Sequence, residues 1–127
     1  MRIRKFKLPI YTYDIQFIEV ESSKDLKKVT KIIKILRVDK MCYKRITDSI
    51  KRGLINGGEC IWDHPHKRGA IILYEHTSNK ERMITLGHEK RHLEDRILQL
   101  YSVSDCEATA LLSGYLTQKL FKKWKKK

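Results

Sequence analysis

The chain has 127 residues, of which 41% are hydrophobic, and its 28 lysines and arginines outnumber its 15 aspartates and glutamates. This length suits one domain with a substantial core and excludes two ordinary domains, so we expect a single domain over residues 1–127. The formal net charge of +13 favours an acidic partner. The sequence contains no apolar run long enough to span a bilayer and no signal core after its first residues, which predicts a cytoplasmic location without membrane contact.

The cysteine pattern argues against disulfides. The three cysteines, an odd number, form no C-x-x-C pair and are Cys42, Cys60 and Cys106. We expect reduced, buried and inert thiols.

The first half of the chain predicts a strand followed by two helices. Residues 8–20 are rich in β-branched and aromatic side chains and predict the strand. Ser22 or Ser23 is expected to cap an amphipathic helix that continues to Arg37, and a shorter helix is expected over about residues 40–52.

The second half predicts a hairpin and two more helices. The turn signal Asn56-Gly57-Gly58 precedes two predicted strands, residues 59–62 and 70–76, which are joined by a loop. A capping box at Ser78 and Glu81 then begins a helix that runs to Leu100. After a break at residues 101–104, a helical pattern resumes over residues 105–116.

The predicted helix that ends at Leu100 contains an H-E-x-x-H pentapeptide, residues 88–92. Residues four apart lie on the same face of an α-helix, so His88 and His92 can direct two imidazole nitrogens at one zinc ion. Glu89 lies about 100° round the helix, where it can act as general base to a water held by the metal without being a ligand. The opposite face carries an apolar stripe that should pack on the core, and its members are Leu86, Leu93, Ile97 and Leu100.

A catalytic zinc site needs a third protein ligand, and Glu107 is our candidate. It shares a helix face with apolar and small residues that should pack on a neighbouring element, namely Ala110, Leu111 and Gly114, together with Gln118. A lone buried carboxylate needs a partner, which a zinc ion would supply. The alternative is a carboxylate favoured by the helix dipole, with Asp105 as the N-cap.

From about residue 70 to residue 121, the sequence resembles the small zincin-like metallopeptidases of phages and mobile elements, and the IrrE-like gluzincins share the general plan. The resemblance rests on H-E-x-x-H followed by D-x-E-A-x-A-x-x-x-G-Y-L-T-Q, which ends at Gln118. It implies that His88, His92 and Glu107 bind one zinc ion, that Glu89 is the base, and that Asp105 orients a histidine.

The same resemblance implies the fold. We expect an α+β, zincin-like domain whose small, mostly antiparallel or mixed sheet packs on helices that include the H-E-x-x-H helix and a C-terminal helix with the third ligand. The active cleft is expected beneath an edge strand, for which residues 70–74 are the candidate, and an extended peptide could add to that edge.

Several other polar residues have weaker claims. Tyr101, Tyr115 and His66 are candidate hydrogen-bond donors to a transition state, although aromatic residues at helical spacing more often belong to the core. Four residues within a short stretch could ligate a second metal: Cys60, Asp63, His64 and His66. Their spacing is not typical of a metal site, and a solvated turn is the favoured interpretation.

Positive charge is concentrated near the two ends of the chain, at about residues 1–7 and 119–127. Lys122, Lys123 and Lys125 could contact phosphates of a nucleic acid while Trp124 stacks on a base. A solvated helix terminus is the favoured alternative.

The sequence therefore predicts a zinc-dependent hydrolase, with metallopeptidase activity on a peptide or protein substrate as the favoured function. The alternative is a basic module on a zincin scaffold that binds nucleic acid or a protein and has no peptidase activity.

Overall fold

A four-stranded mixed sheet lies between two pairs of α-helices in the computed structural model, which describes residues 1–9 and 11–124. In chain order the elements are β1 (Arg2–Leu8), β2 (Tyr13–Glu19), α1 (Leu26–Ile35), α2 (Lys40–Lys51), β3 (Gly58–Asp63), β4 (Arg68–Leu73), α3 (Asn79–Leu100) and α4 (Cys106–Leu120). Short 3-10 turns precede α1 and join β3 to β4. The α+β class and the mixed sheet are confirmed.

The strand order is β1-β2-β4-β3. β1 and β3 pair antiparallel with β2 and β4, while β2 and β4 pair parallel with each other. The parallel pair requires a long crossover, which α1, α2 and β3 provide. β2 and β4 are therefore the central strands, and β3 is an edge strand next to β4.

Two predictions about the strands are wrong. Residues 8–20 do not form one strand, because the chain turns after Leu8, passes through Thr12 at a positive φ of 49°, and begins β2 at Tyr13. The N-terminal segment that we interpreted as a basic terminus forms a strand, β1, which we did not predict. In β1, Phe6 and Leu8 face the core, whereas Lys5 and Lys7 face solvent. Residues 70–74 do not form an edge, because β4 has a partner on each side.

Each face of the sheet has its own apolar core. On one face, α1 and α2 bury Val29, Ile33, Ile46 and Ile50 against Ile18 and Ile72. On the other face, α3 and α4 bury Leu86, Leu93, Ile97, Leu112, Leu116 and Leu120 against Phe17, Ile71 and Leu73. Successive side chains of β2 and β4 point to opposite faces of the sheet and so enter both cores, which explains why these strands are apolar on both faces.

The predicted helix starts are confirmed by capping hydrogen bonds. The Ser22 side chain accepts from the backbone N–H of Lys24, and Asp25 completes a capping box. The Ser78 hydroxyl accepts from the backbone N–H of Glu81 at 3.1 Å, so α3 begins at Asn79. These bonds satisfy amides that have no partner within the helix.

All three cysteines are free thiols, as predicted. The expectation of burial is wrong for Cys106, which is exposed at the start of α4, and is met only in part for Cys42 and Cys60, which are half-buried. Within the described residues, every helix is too short or too polar to cross a bilayer.

The chain after α4 returns to the sheet. The Trp124 ring stacks on Phe17 with centroids 5.7 Å apart, and its indole N–H donates to Glu19 Oε2 at 2.6 Å. The Arg4 guanidinium lies 4.3 Å from the Trp124 ring centroid. The Trp124 ring therefore packs within the fold, and its position does not support the predicted stacking on a base. Lys122 and Lys123 are exposed, whereas Lys125 lies outside the described residues.

Because Trp124 contributes aromatic contact area and a hydrogen bond to the core, Trp124→Ala should lower the free energy of unfolding by about 2–3 kcal/mol, less than for a fully buried tryptophan. Urea unfolding followed by circular dichroism measures this change. Lys122→Ala, two residues earlier and exposed, is the control and should change stability by less than about 0.5 kcal/mol. Equal stability of the two variants would contradict this account of the C-terminal segment.

Candidate metal centre

Helix α3 presents the H-E-x-x-H residues because its opposite face is held by the core. Leu86, Leu93 and Ile97 are fully buried, while His88 and His92 are exposed, as the helical periodicity predicts. Leu100, expected to continue the apolar stripe, is 37% exposed at the helix end.

The two histidine side chains converge. His88 Nε2 and His92 Nε2 are 3.0 Å apart, and the rings are nearly perpendicular, with an interplanar angle of 87°. Two Zn–N bonds of about 2.0–2.1 Å at a tetrahedral angle place the nitrogens roughly 3.3 Å apart. The observed separation therefore fits two ligands of one ion after a small rotation of either ring.

Glu89 points in a different direction from the histidines. It is 7% exposed, whereas both histidines are exposed. Burial raises the pKa of Glu89, the neighbouring His88 and His92 lower it, Glu59 raises it further, and the net direction is upward. A carboxyl group with a raised pKa, next to a candidate metal position, is suited to accept and return a proton.

Helix α3 approaches β3 closely at Gly58. A Cβ atom at this position would lie 2.9 Å from the carbonyl oxygen of Ile72 and 3.0 Å from Thr85 Cγ2 of α3. The first distance would disturb the pairing of β3 with β4, and the second would force Thr85 of α3 to shift. The absence of a side chain at Gly58 therefore permits both the strand pairing and the close approach of α3.

Our sequence analysis missed an aromatic and cationic group beside the histidines. Arg96, one turn after His92, lies 4.3 Å from the Trp62 ring centroid, and Trp62 stacks on His64 with centroids 6.2 Å apart. The four-residue spacing from His92 to Arg96 is a signal that could have identified Arg96. Trp62 could not be placed without knowing that β3 lies beside α3.

The expectation that the Glu107 face of α4 packs on a neighbour is wrong. Glu107 is exposed, and Leu111 on the same face is 63% exposed. The helix instead buries a leucine stripe with a spacing of four residues, namely Leu112, Leu116 and Leu120. This branched apolar stripe buries more area than the small-residue face would, which decides the orientation of the helix.

The side on which the two helices meet also separates Glu107 from the histidines. Lys90 Nζ donates to Ser113 Oγ at 3.0 Å, so α4 contacts the side of α3 that carries Lys90. That side is nearly opposite the histidines, because Lys90 is two residues, or about 200° round the helix, from both His88 and His92. Among residues 1–9 and 11–124, no group of three or more His, Cys, Asp or Glu side chains is placed to hold a metal ion. The structure thus brings the two histidines together and leaves Glu107 apart.

Asp105 is the N-cap of α4, as our alternative interpretation proposed. Its Oδ1 accepts from the backbone N–H groups of Glu107 at 2.7 Å and Ala108 at 3.0 Å. The carboxylate is therefore engaged at the helix start, and these contacts give no support to a role in orienting a histidine.

The candidate transition-state donors are engaged in hydrogen bonds within the fold. The Tyr101 hydroxyl donates to the carbonyl of Tyr11, and the Tyr115 hydroxyl donates to the carbonyl of Lys7. These bonds tie the region after α3 and helix α4 to the β1–β2 hairpin. His66 Nδ1 is 2.9 Å from Asp63 Oδ2, in the turn between β3 and β4.

Three of the four residues considered for a second metal make hydrogen-bond contacts within the fold, and these are Asp63, His64 and His66. Asp63 is buried and accepts from Arg68 Nε at 2.9 Å as well as contacting His66. His64 Nδ1 lies 3.2 Å from the Tyr13 hydroxyl. Burial raises the pKa of the Asp63 carboxyl, but the hydrogen bonds and charges of His66 and Arg68 outweigh this and hold the pKa below its usual value. The turn interpretation is the one that these contacts favour.

Comparison of the chain with protein-family models, with curated proteins and with solved structures found no match. The resemblance to zincin-like metallopeptidases stays a prediction that rests on the motif residues.

The network around Asp63 predicts a pH dependence of stability. The Asp63 carboxyl has a lower pKa in the folded than in the unfolded protein. Its contribution to the free energy of unfolding is therefore fully present above the unfolded pKa of about 3.9, and it is lost as the pH falls through the folded pKa. Asp63→Asn should therefore lower the free energy of unfolding by about 2 kcal/mol at pH 7, and the difference should shrink below pH 4.

Urea unfolding at a series of pH values measures this difference. Asp95→Asn, at an exposed carboxylate of α3, removes the same charge and should leave stability within about 0.5 kcal/mol at pH 7. A constant difference between Asp63→Asn and the wild type from pH 7 to pH 2 would show that the Asp63 carboxylate does not titrate with a lowered pKa.

Proposed function

We propose that this protein is a zinc-dependent hydrolase with peptidase activity, in which His88 and His92 bind the metal and Glu89 is the general base. The observation that carries the proposal is the approach of His88 Nε2 to His92 Nε2, 3.0 Å apart on an exposed helix face. The proposal is supported by Glu89, the residue after His88, whose side chain is buried.

The donor set favours zinc, since imidazole nitrogen is one of its usual ligands. A zinc ion bound here would act as a Lewis acid and lower the pKa of its water to about 7. Glu89 would accept the proton from the attacking water and return it to the leaving amine. Burial raises the pKa of Glu89, which makes the carboxylate a better proton acceptor than an exposed one.

For the third ligand we propose Glu107, on the resemblance alone. The carboxylate is exposed, on the first turn of α4. Because α4 meets α3 on the side away from the histidines, Glu107 reaches the ion only if this turn moves, through the connection of residues 101–105, when the metal binds.

An extended peptide is the substrate that the edge strand favours. The backbone N–H groups of Asp14 and Val20 donate to the carbonyls of Lys67 and Leu73, so the odd-numbered residues of β4 bond to β2 and the even-numbered ones to β3. The register then directs the backbone groups of alternate β3 residues outward, and these are Gly58, Cys60 and Trp62. A peptide strand can pair with such groups beside α3.

Isothermal titration of the chelator-treated protein with zinc sulfate tests the centre. We expect one zinc per chain, and His88→Ala or His92→Ala should each weaken binding at least about 100-fold because a direct ligand is lost. His66→Ala, which removes an imidazole in the turn after β3, is the control and should bind zinc like the wild type. Glu107→Gln should weaken binding if the carboxylate is a ligand, and unchanged affinity would remove it from the proposal.

The role of Glu89 is tested in the same set of variants. Glu89→Gln should retain zinc and lose about 100- to 10,000-fold in the hydrolysis rate of a quenched-fluorescent peptide mixture. Unchanged hydrolysis would contradict the assignment of the base. Zinc binding by a wild type that hydrolyses no peptide of the mixture would favour the alternative, a binding module without peptidase activity.

A further inference from the structure

The positive charge of this protein is divided unequally between the two sides of the sheet. Residues 24–52, which include α1 and α2, contain eleven lysines and arginines against three aspartates, a net charge of +8. Residues 79–120, which form α3 and α4, contain six cations and six carboxylates. The layer opposite the H-E-x-x-H helix is therefore strongly basic, and the layer that carries this helix is neutral.

The outward face of α1 is a row of lysines. Lys27, Lys31 and Lys34 are all exposed and lie at spacings of four and three residues, which place them on one face at intervals of about 6 and 4.5 Å along the axis. Like charges at such spacings destabilise an isolated helix by a few tenths of a kcal/mol per pair. Burial of Val29 and Ile33 holds the helix in place despite this repulsion.

Internal carboxylates do not neutralise this layer. In the part of the chain that the structure describes, Arg45 is the one cation among residues 24–52 with an ion-pair partner, Glu59 at 2.7 Å. Two of the three aspartates of the segment are used elsewhere, since Asp25 pairs with the N-terminal amine and Asp39 caps α2, and Asp48 is the one that is left. Ten lysines and arginines of the layer are thus available to an external anion.

Between α1 and α2 lies an open groove of about 450 Å³. Its cations are Lys24, Lys27 and Lys51, and its hydroxyl-bearing side chains are Ser23, Thr30, Tyr43 and Thr47. The two threonine hydroxyls donate to carbonyls of their own helices, so the lysines are the principal donors. Lys51 also lines an adjoining hollow of about 470 Å³ with Arg45, Asp48 and Arg52, which continues the basic surface along α2.

The chemistry of this surface fits phosphates better than a lipid bilayer. Membrane-surface helices need an exposed apolar stripe beside their cations, but the apolar residues of α1 and α2 are turned into the core. The exposed exceptions, Ile35 and Met41, are isolated at the end of α1 and the start of α2. Lysine rows and hydroxyl groups are the usual contacts to a nucleic-acid backbone.

We propose that the α1–α2 layer binds the phosphate backbone of double-stranded nucleic acid without regard to base sequence. The flexible lysines contact phosphates as point charges. Tyr43, the aromatic side chain that lines the groove, is half-buried, and one such ring is less than the series of stacking platforms that binds unstacked bases. Because the sheet lies between this layer and α3, bound duplex leaves His88 and His92 accessible. Binding does not require zinc and is independent of the hydrolase proposal.

Fluorescence anisotropy of a labelled 20-base-pair DNA duplex, titrated with the full chain at several KCl concentrations, tests this proposal. The logarithm of the association constant should fall with the logarithm of salt concentration, with a slope of about −4.5 or steeper for five or more phosphate contacts. The variant Lys27→Gln/Lys31→Gln/Lys34→Gln should bind at least about 30-fold more weakly at 100 mM KCl, with a slope shallower by about 2 to 3.

The matched control is Lys80→Gln/Lys122→Gln/Lys123→Gln, which removes the same charge from exposed positions outside α1 and α2. It should keep affinity within about threefold of the wild type. An equal loss in the two variants, or a larger loss in the control, would overturn the assignment to α1. Circular dichroism and urea unfolding establish that both variants fold, which exposed Lys→Gln changes permit.

Two further probes separate the alternatives. A single-stranded DNA of the same length should bind more weakly than the duplex, and stronger binding of the single strand would overturn the proposal. Vesicles of phosphatidylserine and phosphatidylcholine should bind weakly, and binding to vesicles without binding to duplex would identify the layer as a membrane surface instead. Because none of these measurements uses metal or a peptide substrate, failure here is distinguishable from failure of the zinc proposal.

Discussion

The arrangement of this protein depends on the burial of both faces of its two central strands. In β4, Ala70, Ile71, Ile72 and Leu73 are each at most 1% exposed, so helices must cover the sheet above and below. Helix α3 covers one face with Leu86, Leu93 and Ile97. Once those residues point inward, the periodicity of the helix directs His88 and His92 to solvent and leaves Glu89 buried. The geometry of the candidate centre is thus a consequence of how the H-E-x-x-H helix packs.

Local features of the sequence predicted local features of the structure. The Ser78 cap, the apolar stripe of α3 and the four-residue histidine spacing each involve neighbours along the helix, and they appear as expected. The strand order could not be predicted in this way, because β2 and β4 pair across more than 50 residues and nothing local marks that pairing. Helix α4 offered two apolar faces, and only the packed structure distinguishes the leucine stripe from the Glu107 face.

The sheet divides the molecule into two layers with different chemistry. The α3–α4 layer is neutral and carries the histidines, whereas the α1–α2 layer carries a net charge of +8. Together the two proposals describe a hydrolase that is held on a nucleic acid by one face while the opposite face remains open to a peptide. A large excess of positive charge raises the rate at which the protein encounters a polyanion. Because this charge is concentrated on the α1–α2 layer, it also fixes the orientation of the protein on the nucleic acid.

Zinc K-edge X-ray absorption of the protein loaded with one equivalent of zinc examines the central claim most directly. Two helical histidines as ligands predict a first shell of nitrogen and oxygen at about 2.0–2.1 Å with the outer-shell signature of two imidazoles, reduced to one in His92→Ala. The claim would be contradicted if the protein did not retain one zinc ion per chain. It would also be contradicted if the imidazole signature were the same in His92→Ala as in the wild type.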